Sequence, residues 1–218
     1  MSTHAPSAPS LQRTRRPSLT ARRKAATELG IARAAAELFA ERGPDRTTAE
    51  QIAGRAGVAL RTFYRYYRGK QDAVAPLLAD SAERQRIALA ATAPGTALPR
   101  ALERSLSDAL SGRDEAARES LLWTRVLLRA AAGDAALRTV WYRVHRDAEE
   151  SLLPVLATLA GPGADPLSVR LTAVTATEAL RVALETWAAT GEPLSGTQAS
   201  PAALAVRCLR ELTGGSEP

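Results

Sequence analysis

The stretch TTAEQIAGRAGVALRTFYRYYRGK, Thr47 to Lys70, crowds Phe63, Tyr64, Tyr66 and Tyr67 into five positions and interleaves them with Arg61, Arg65, Arg68 and Lys70. The whole chain of 218 residues has nine aromatic residues, so four in one place is a local arrangement and not a consequence of composition. A tyrosine beside a cation suits a nucleic-acid backbone. Its ring packs on a sugar or a thymine methyl, its hydroxyl bonds a phosphate oxygen, and the neighbouring Arg or Lys neutralises the charge. The alternative is that all four rings are core and the cations only solvate the surface. Helical spacing divides the set: Phe63 and Tyr67 lie four residues apart on one face and can pack inward on Ile52, Val58 and a preceding helix. Thr62, Tyr64, Arg65 and Tyr66 then fall largely on the remaining faces, where some rings point outward beside arginines.

Short helices must hold this surface. From Arg22 to Arg42 the positions Ala25, Leu29, Ala32, Ala36 and Phe39 recur at helical spacing, and Gly43-Pro44 supplies a stop. Thr47-Thr48-Ala49-Glu50 has the spacing of a capping box, with Thr47 as the cap and Glu50 reaching back, and it starts a second helix. That helix ends at Gly57, whose missing Cβ suits a left-handed residue, and Val58 packs the turn. Leu60–Tyr67 reads as a third, short helix. Two helices joined by a tight Gly-containing turn form a helix-turn-helix, whose second helix is the one that enters a major groove.

With those residues in place, TTAEQIAGRAGVALRTFYRYYRGKQDAV resembles the DNA-binding signature of TetR-type transcriptional regulators. The shared pattern is a Thr-Thr helix start, an Ile-Ala pair, a Gly-Val turn, a Thr-aromatic-Tyr recognition helix and a Lys opening the fourth helix. The resemblance extends back over IARAAAELFAERG and covers about residues 22–80. It implies that Thr48 and Lys70 touch phosphates, that Thr62, Tyr64 and Tyr66 lie at the groove, and that Arg61 reaches a base edge. Arg65 joins this DNA-binding set. Ala59-Leu60 departs from the pattern, since many members carry a polar residue such as Ser there.

Charge is segregated along the chain. Residues 1–70 carry 14 Lys+Arg against 5 Asp+Glu, and residues 71–218 carry 15 against 18, so the net +6 belongs to the N-terminal third. One end is built to meet a polyanion and the other is not. Residues 1–20, rich in Pro, Ser, Thr and Arg, read as a disordered basic arm. Its Arg13, Arg15 and Arg16, with Arg22, Arg23 and Lys24, either add groove contacts or simply raise affinity as a solvated tail. Ala and Leu dominate the apolar residues, so the chain is expected to be all-α, with about nine helices. The domains divide as 21–69 for the helix-turn-helix and 70–218 for a helical ligand-binding and dimerisation bundle. Further helices are placed at about 70–91, 97–111, 114–132, 134–160, 166–190 and 201–213, with Asp165-Pro166 and Ser200-Pro201 as starts and Pro154 inside the long seventh.

In the C-terminal half, Ala173, Ala176, Leu180, Leu184 and Trp187, with Val206 and Leu209 of the last helix, either form a symmetric four-helix dimer interface or pack within the chain. Trp123, Arg125, Trp141, Tyr142 and His145 are the bulky or polar residues available to a ligand pocket, with Arg125 suited to an acidic group. Mixed aromatic and polar linings mark pockets and cores alike. Glu178, Arg181 and Glu185 have the spacing of intrahelical ion pairs.

Enzyme readings find little support. His145 and Glu149 are spaced for a metal, but His4 is the only other histidine and Cys208 the only cysteine, which leaves no metal set. No phosphate loop, nucleophile elbow or dinucleotide fingerprint appears, and no cofactor is expected. No apolar run reaches the length of a membrane span, and the N-terminus lacks the apolar stretch of a secretory signal, so the protein is expected in the cytoplasm. The sequence thus points to a homodimeric transcriptional regulator, a repressor released from a palindromic double-stranded DNA operator by a small-molecule effector. An activator, a regulator without a ligand, and a helical interaction scaffold are the alternatives.

Overall fold

The computed structural model describes residues 18–93 and 95–214, so most of the basic arm, with Arg13, Arg15 and Arg16, lies outside the described residues. Among the described residues there are nine α-helices and no strand: α1 (Leu19–Arg42), α2 (Ala49–Arg55), α3 (Leu60–Tyr66), α4 (Ala75–Ala90), α5 (Leu98–Leu110), α6 (Glu115–Ala131), α7 (Ala135–Ala160), α8 (Pro166–Ala189) and α9 (Pro201–Leu212). A single 3₁₀ turn, Gln71–Val74, precedes α4. Among the described residues no helix is long and apolar enough to cross a membrane.

Side-chain caps set most of the starts. Asp114, Asp134, Asp165 and Ser200 each accept a bond from a first-turn amide of the helix that follows, and Pro follows the last two caps, where no amide bond is lost. The first helix begins earlier than its apolar pattern indicates. Ser18 accepts from the Ala21 amide at 3.1 Å, so Leu19 and Thr20 are already helical although neither contributes to the core. Through Pro154, α7 remains a single helix.

The core runs through the whole molecule. Helix α1 packs on α2, the 3₁₀ turn, α4 and α6, and α4 packs on α5, α6 and α7. Helix α8 sits among α6, α7 and α9. The largest fully buried side chains, Trp141, Trp187, Phe63 and Ile31, are spread over both ends, which ties the N-terminal helices to the bundle.

Polar clamps fix the bundle's far end. Arg125 and Arg129 of α6 donate to carbonyls at and just past the end of α8: Arg125 to Thr190 (2.7 Å) and Glu192 (2.8 Å), and Arg129 to Ala188 (2.7 Å) and Thr190 (2.6 Å). These carbonyls have no helical partner, and two cations at the negative end of a helix satisfy them and its dipole together. The Arg125 guanidinium also stacks on Trp187 at 4.2 Å.

Candidate nucleic-acid interface

The turn between α2 and α3 has the geometry its sequence requires. Val58 donates to the Ala53 carbonyl at 2.9 Å and Gly57 to Gly54 at 3.2 Å, the paired bonds of a Schellman end. Gly57 adopts φ +67°, where a Cβ would be strained. The capping box sits one residue later than the sequence reading placed it. Thr48 is the cap: its hydroxyl accepts from the Gln51 amide at 3.2 Å, and Gln51 Oε1 accepts from the Thr48 amide at 3.1 Å. Thr47 is instead buried, and its hydroxyl bonds the carbonyls of Gly43 (2.9 Å) and Leu38 (3.3 Å), which fixes the chain as it leaves α1.

Helix α3 is anchored by its inner face. Phe63 is fully buried, and Tyr67, just past the helix end, is nearly so, with its hydroxyl donating to the Glu28 carbonyl of α1 at 3.1 Å. Burial pushes the Tyr67 phenol well above its ordinary pKa. The rings form a cluster, with Phe63 edge-on to Tyr64 at 5.4 Å and tilted against Tyr67 at 5.7 Å. Leu60 is half-buried against the same core, and Ala59 gives α3 no side-chain cap.

The outer face carries the predicted DNA-binding set. Tyr64 is 56% exposed, Arg61 and Arg65 are exposed, and Thr62 and Tyr66 are half-buried. Arg65 lies over the Tyr66 ring at 5.2 Å. Lys70 precedes the 3₁₀ turn, and not α4 itself, with its carbonyl accepting from Ala73 at 3.3 Å. Thr48 is exposed at the start of α2, so its hydroxyl serves the cap and remains open to solvent.

Pairing separates two kinds of cation in this region. Arg55 of α2 bonds Glu37 (3.0 Å) and Glu41 (2.8 and 3.0 Å) on α1, a clamp that holds Glu41 below the usual carboxylate range. Its signal was readable only as the i, i+4 spacing of Glu37 and Glu41. Arg61, Arg65, Arg68 and Lys70 have no carboxylate partner among the described residues. Arg68, exposed just past α3, belongs with this set although the sequence reading did not select it. Unpaired cations grouped this closely create a positive potential that attracts a polyanion.

The expected pocket residues do not come together. Arg125, expected to receive an acidic ligand, spends its guanidinium on main-chain carbonyls and Trp187. Trp141 is buried and donates its indole N–H to Glu185 at 2.6 Å. His145 is buried beside Trp141, ring centres 4.0 Å apart. Tyr142 is exposed, with Arg181 5.9 Å from its ring, and Trp123 faces a separate crevice between α1, α4 and α6. Bulk and polarity selected them, but tertiary structure uses three as packing and clamp.

The residues expected at a dimer interface lie mostly inside the chain. Ala173, Ala176, Leu180, Leu184, Trp187 and Leu209 are all buried within the chain, and Val206 alone of that set is half-exposed. The small residues let α8 approach its own neighbours. Helix α8 shows solvent a different apolar row, Leu167, Leu171, Val174 and Val182, which periodicity did not separate from the buried one. The charged residues pair as expected, with Arg181 bonding both Glu178 and Glu185.

Comparison with known proteins agrees with this geometry. Residues 31–75 match the family model of bacterial regulatory proteins, tetR family, while no curated protein matches the chain. Several solved structures share the fold. NalD of Pseudomonas aeruginosa, the secondary repressor of the MexAB-OprM multidrug efflux pump, is 21% identical, with 89% of this chain and 97% of that one covered and a TM-score of 0.53. A TetR transcriptional regulator from Rhodococcus sp. RHA1 is 14% identical, covering 88% and 97%, with a TM-score of 0.52. FadR of Bacillus subtilis, solved with stearoyl-CoA, is 23% identical, covering 87% and 99%, with a TM-score of 0.50. Residues 31–75 therefore match the DNA-binding segment of the tetR family, and the chain shares the fold of solved TetR-type transcriptional regulators.

Proposed function

We propose that the protein is a cytoplasmic homodimeric repressor that binds a roughly palindromic double-stranded DNA operator, one helix-turn-helix per half-site, and is released by a small-molecule effector. The observation that carries the DNA-binding part is the outer face of α3, where exposed Tyr64 stands among Arg61, Arg65, Arg68 and Lys70 with no carboxylate among the described residues to neutralise them. Thr48, Thr62 and Tyr66 flank this face. Replacing Tyr64 with alanine is expected to weaken binding to the gene's own upstream DNA about tenfold, ~1.4 kcal/mol. The unfolding free energy is expected to stay within about 0.5 kcal/mol of the parent, because the ring is at the surface. Fluorescence anisotropy against competitor DNA measures the first and thermal denaturation the second. Unchanged affinity would remove Tyr64 from the interface.

Dimerisation is assigned to the exposed row of α8, Leu167, Leu171, Val174 and Val182, together with Val206 of α9. An isologous contact repeats each residue twice, so one change acts on two copies. Leu171 is 57% exposed and has that much left to bury. Leu171→Glu is expected to cost about 2 kcal/mol per dimer, raising the dimer Kd about thirtyfold. Sedimentation equilibrium reads this directly, and an unshifted Kd would place the interface elsewhere.

The effector reading is supported by polar atoms inside the bundle. Both amide atoms of Gln85, Oγ of Ser81 and Ser120, and Nε2 of His145 are buried without a hydrogen-bond partner among the described residues. Interiors rarely leave such groups unmatched. A ligand that matched them would favour one helix arrangement over another, and coupling of ~1–3 kcal/mol between sites is enough to change operator occupancy. The shared fold of an efflux-pump repressor and of a regulator holding stearoyl-CoA is in keeping with this.

A further inference from the structure

We propose that the groove between the DNA-binding helices and the bundle is a binding site for an amphipathic organic cation. The groove has a volume of 380 Å³ and lies where α1 and Tyr67 face α4 and α7. Its floor is apolar, formed by Ala75, Ala79, Ala82 and Val144. Three carboxylates, those of Glu28, Glu83 and Asp147, line it, and no Lys or Arg does, in a chain whose net charge is +6.

The three acids differ in how far they are already neutralised. Glu83 pairs with Arg86 at 2.6 Å. Glu28 is approached only by exposed Lys24, at 3.8 Å. Asp147 has no cationic partner among the described residues. At least one full negative charge is thus left beside an apolar floor large enough for a drug-sized molecule. An organic cation matches both features, since its hydrocarbon body covers the alanine and valine surface while its charge lies near the carboxylates. An anion of the same shape gains the first term and loses on the second.

The occupant would touch both parts of the molecule at once. Glu28 and Tyr67 form one wall, joined by the Tyr67 hydroxyl bond to the Glu28 carbonyl, and α4 and α7 form the other. This site stands apart from the polar atoms of the bundle interior assigned above to the effector, and it does not depend on that assignment.

The test uses the full-length protein and two probes of matched shape, tetraphenylphosphonium and tetraphenylborate, titrated by isothermal calorimetry. The cation is expected to bind at least about tenfold more tightly than the anion. Asp147→Asn is expected to weaken the cation about threefold, the worth of one exposed charge contact, and Glu28→Gln with Asp147→Asn about tenfold. Ala148→Leu, which fills the groove, is expected to abolish binding. Because Asp147 is exposed, its variant keeps the test available if Ala148→Leu does not fold. Equal binding of cation and anion, no binding of the cation, or a cation affinity unmoved in the Glu28→Gln, Asp147→Asn double variant would each overturn the proposal. Affinity of the same variants for the upstream DNA, measured without either probe, keeps a failure here distinct from a failure of the regulator reading.

Discussion

Replacing Phe63 with alanine is expected to destabilise the protein by about 3–5 kcal/mol and to lose specific DNA binding with it. Phe63 is fully buried and is the centre of the ring cluster that holds α3. Helix α3 has seven residues, too short to persist on its own propensity. Its orientation therefore depends on Phe63, on half-buried Leu60, and on Tyr67 reaching the Glu28 carbonyl. Removing the ring leaves a cavity that a tight turn and a two-bond Schellman end cannot close by relaxation. A single domain is stable by roughly 5–15 kcal/mol, so the loss is a large share of the total. For a chain of this size the midpoint should fall by roughly 6–20 °C. The contrast with Tyr64→Ala is the informative part: the neighbouring ring is lost from the surface with little effect on melting. A Phe63→Ala protein that melts like its parent yet no longer binds DNA would mean that Phe63 touches the nucleic acid itself, and the assignment of inner and outer faces would be reversed.

The division of α3 into those two faces was legible because four-residue spacing on a helix is a strong geometric constraint. Helix starts were legible for a similar reason: Asp165-Pro166 and Ser200-Pro201 state a cap and a first turn in adjacent residues. What failed was any choice between two locally equivalent options. Thr47 with Glu50 and Thr48 with Gln51 both satisfy the capping-box spacing. The decision came from Thr47 being drawn into the turn after α1, where its hydroxyl meets the Gly43 and Leu38 carbonyls. Helix α8 posed the same difficulty on a larger scale. It has two apolar rows, one through Ala173, Ala176, Leu180 and Leu184 and one through Leu167, Leu171 and Val174, and only its packing against α6, α7 and α9 shows which is inside. Arg125 was misread because its partners are main-chain carbonyls more than sixty residues away, which carry no side-chain signature.

The protein is expected to lose stability as the pH falls from about 6.5 toward about 4, with His145 as a principal cause. Burial is the largest influence on its imidazole and lowers its pKa from 6.5 to about 4. The Trp141 carbonyl, which accepts from Nδ1–H at 3.3 Å, raises it, Arg181 of α8 lowers it, and Glu178 and Glu185 raise it. A carbonyl can only accept, so Nδ1 carries a proton; burial lowers the pKa to about 4, so above that pH the folded ring is neutral, and Nε2 faces the interior without a partner among the described residues. In the unfolded chain the ring takes up a proton near pH 6.5, whereas in the folded chain it resists until about pH 4. Between those limits the unfolded state binds more protons, so stability rises with pH and is lost as pH falls. The contribution is fully present above about pH 6.5, and its loss by pH 4 is on the order of 3 kcal/mol. Urea midpoints at pH 7.5, 6.0 and 5.0, a range above most carboxylate titrations, should fall steadily in the parent. The same series should be flatter in both His145→Leu and His145→Gln. Each variant is compared with itself across pH, so a change in its absolute stability does not affect the reading. If the slopes of parent and variants coincide between pH 7.5 and 5.0, the imidazole is not held neutral by the bundle, and the buried unpartnered Nε2 loses its place among the groups offered to an effector.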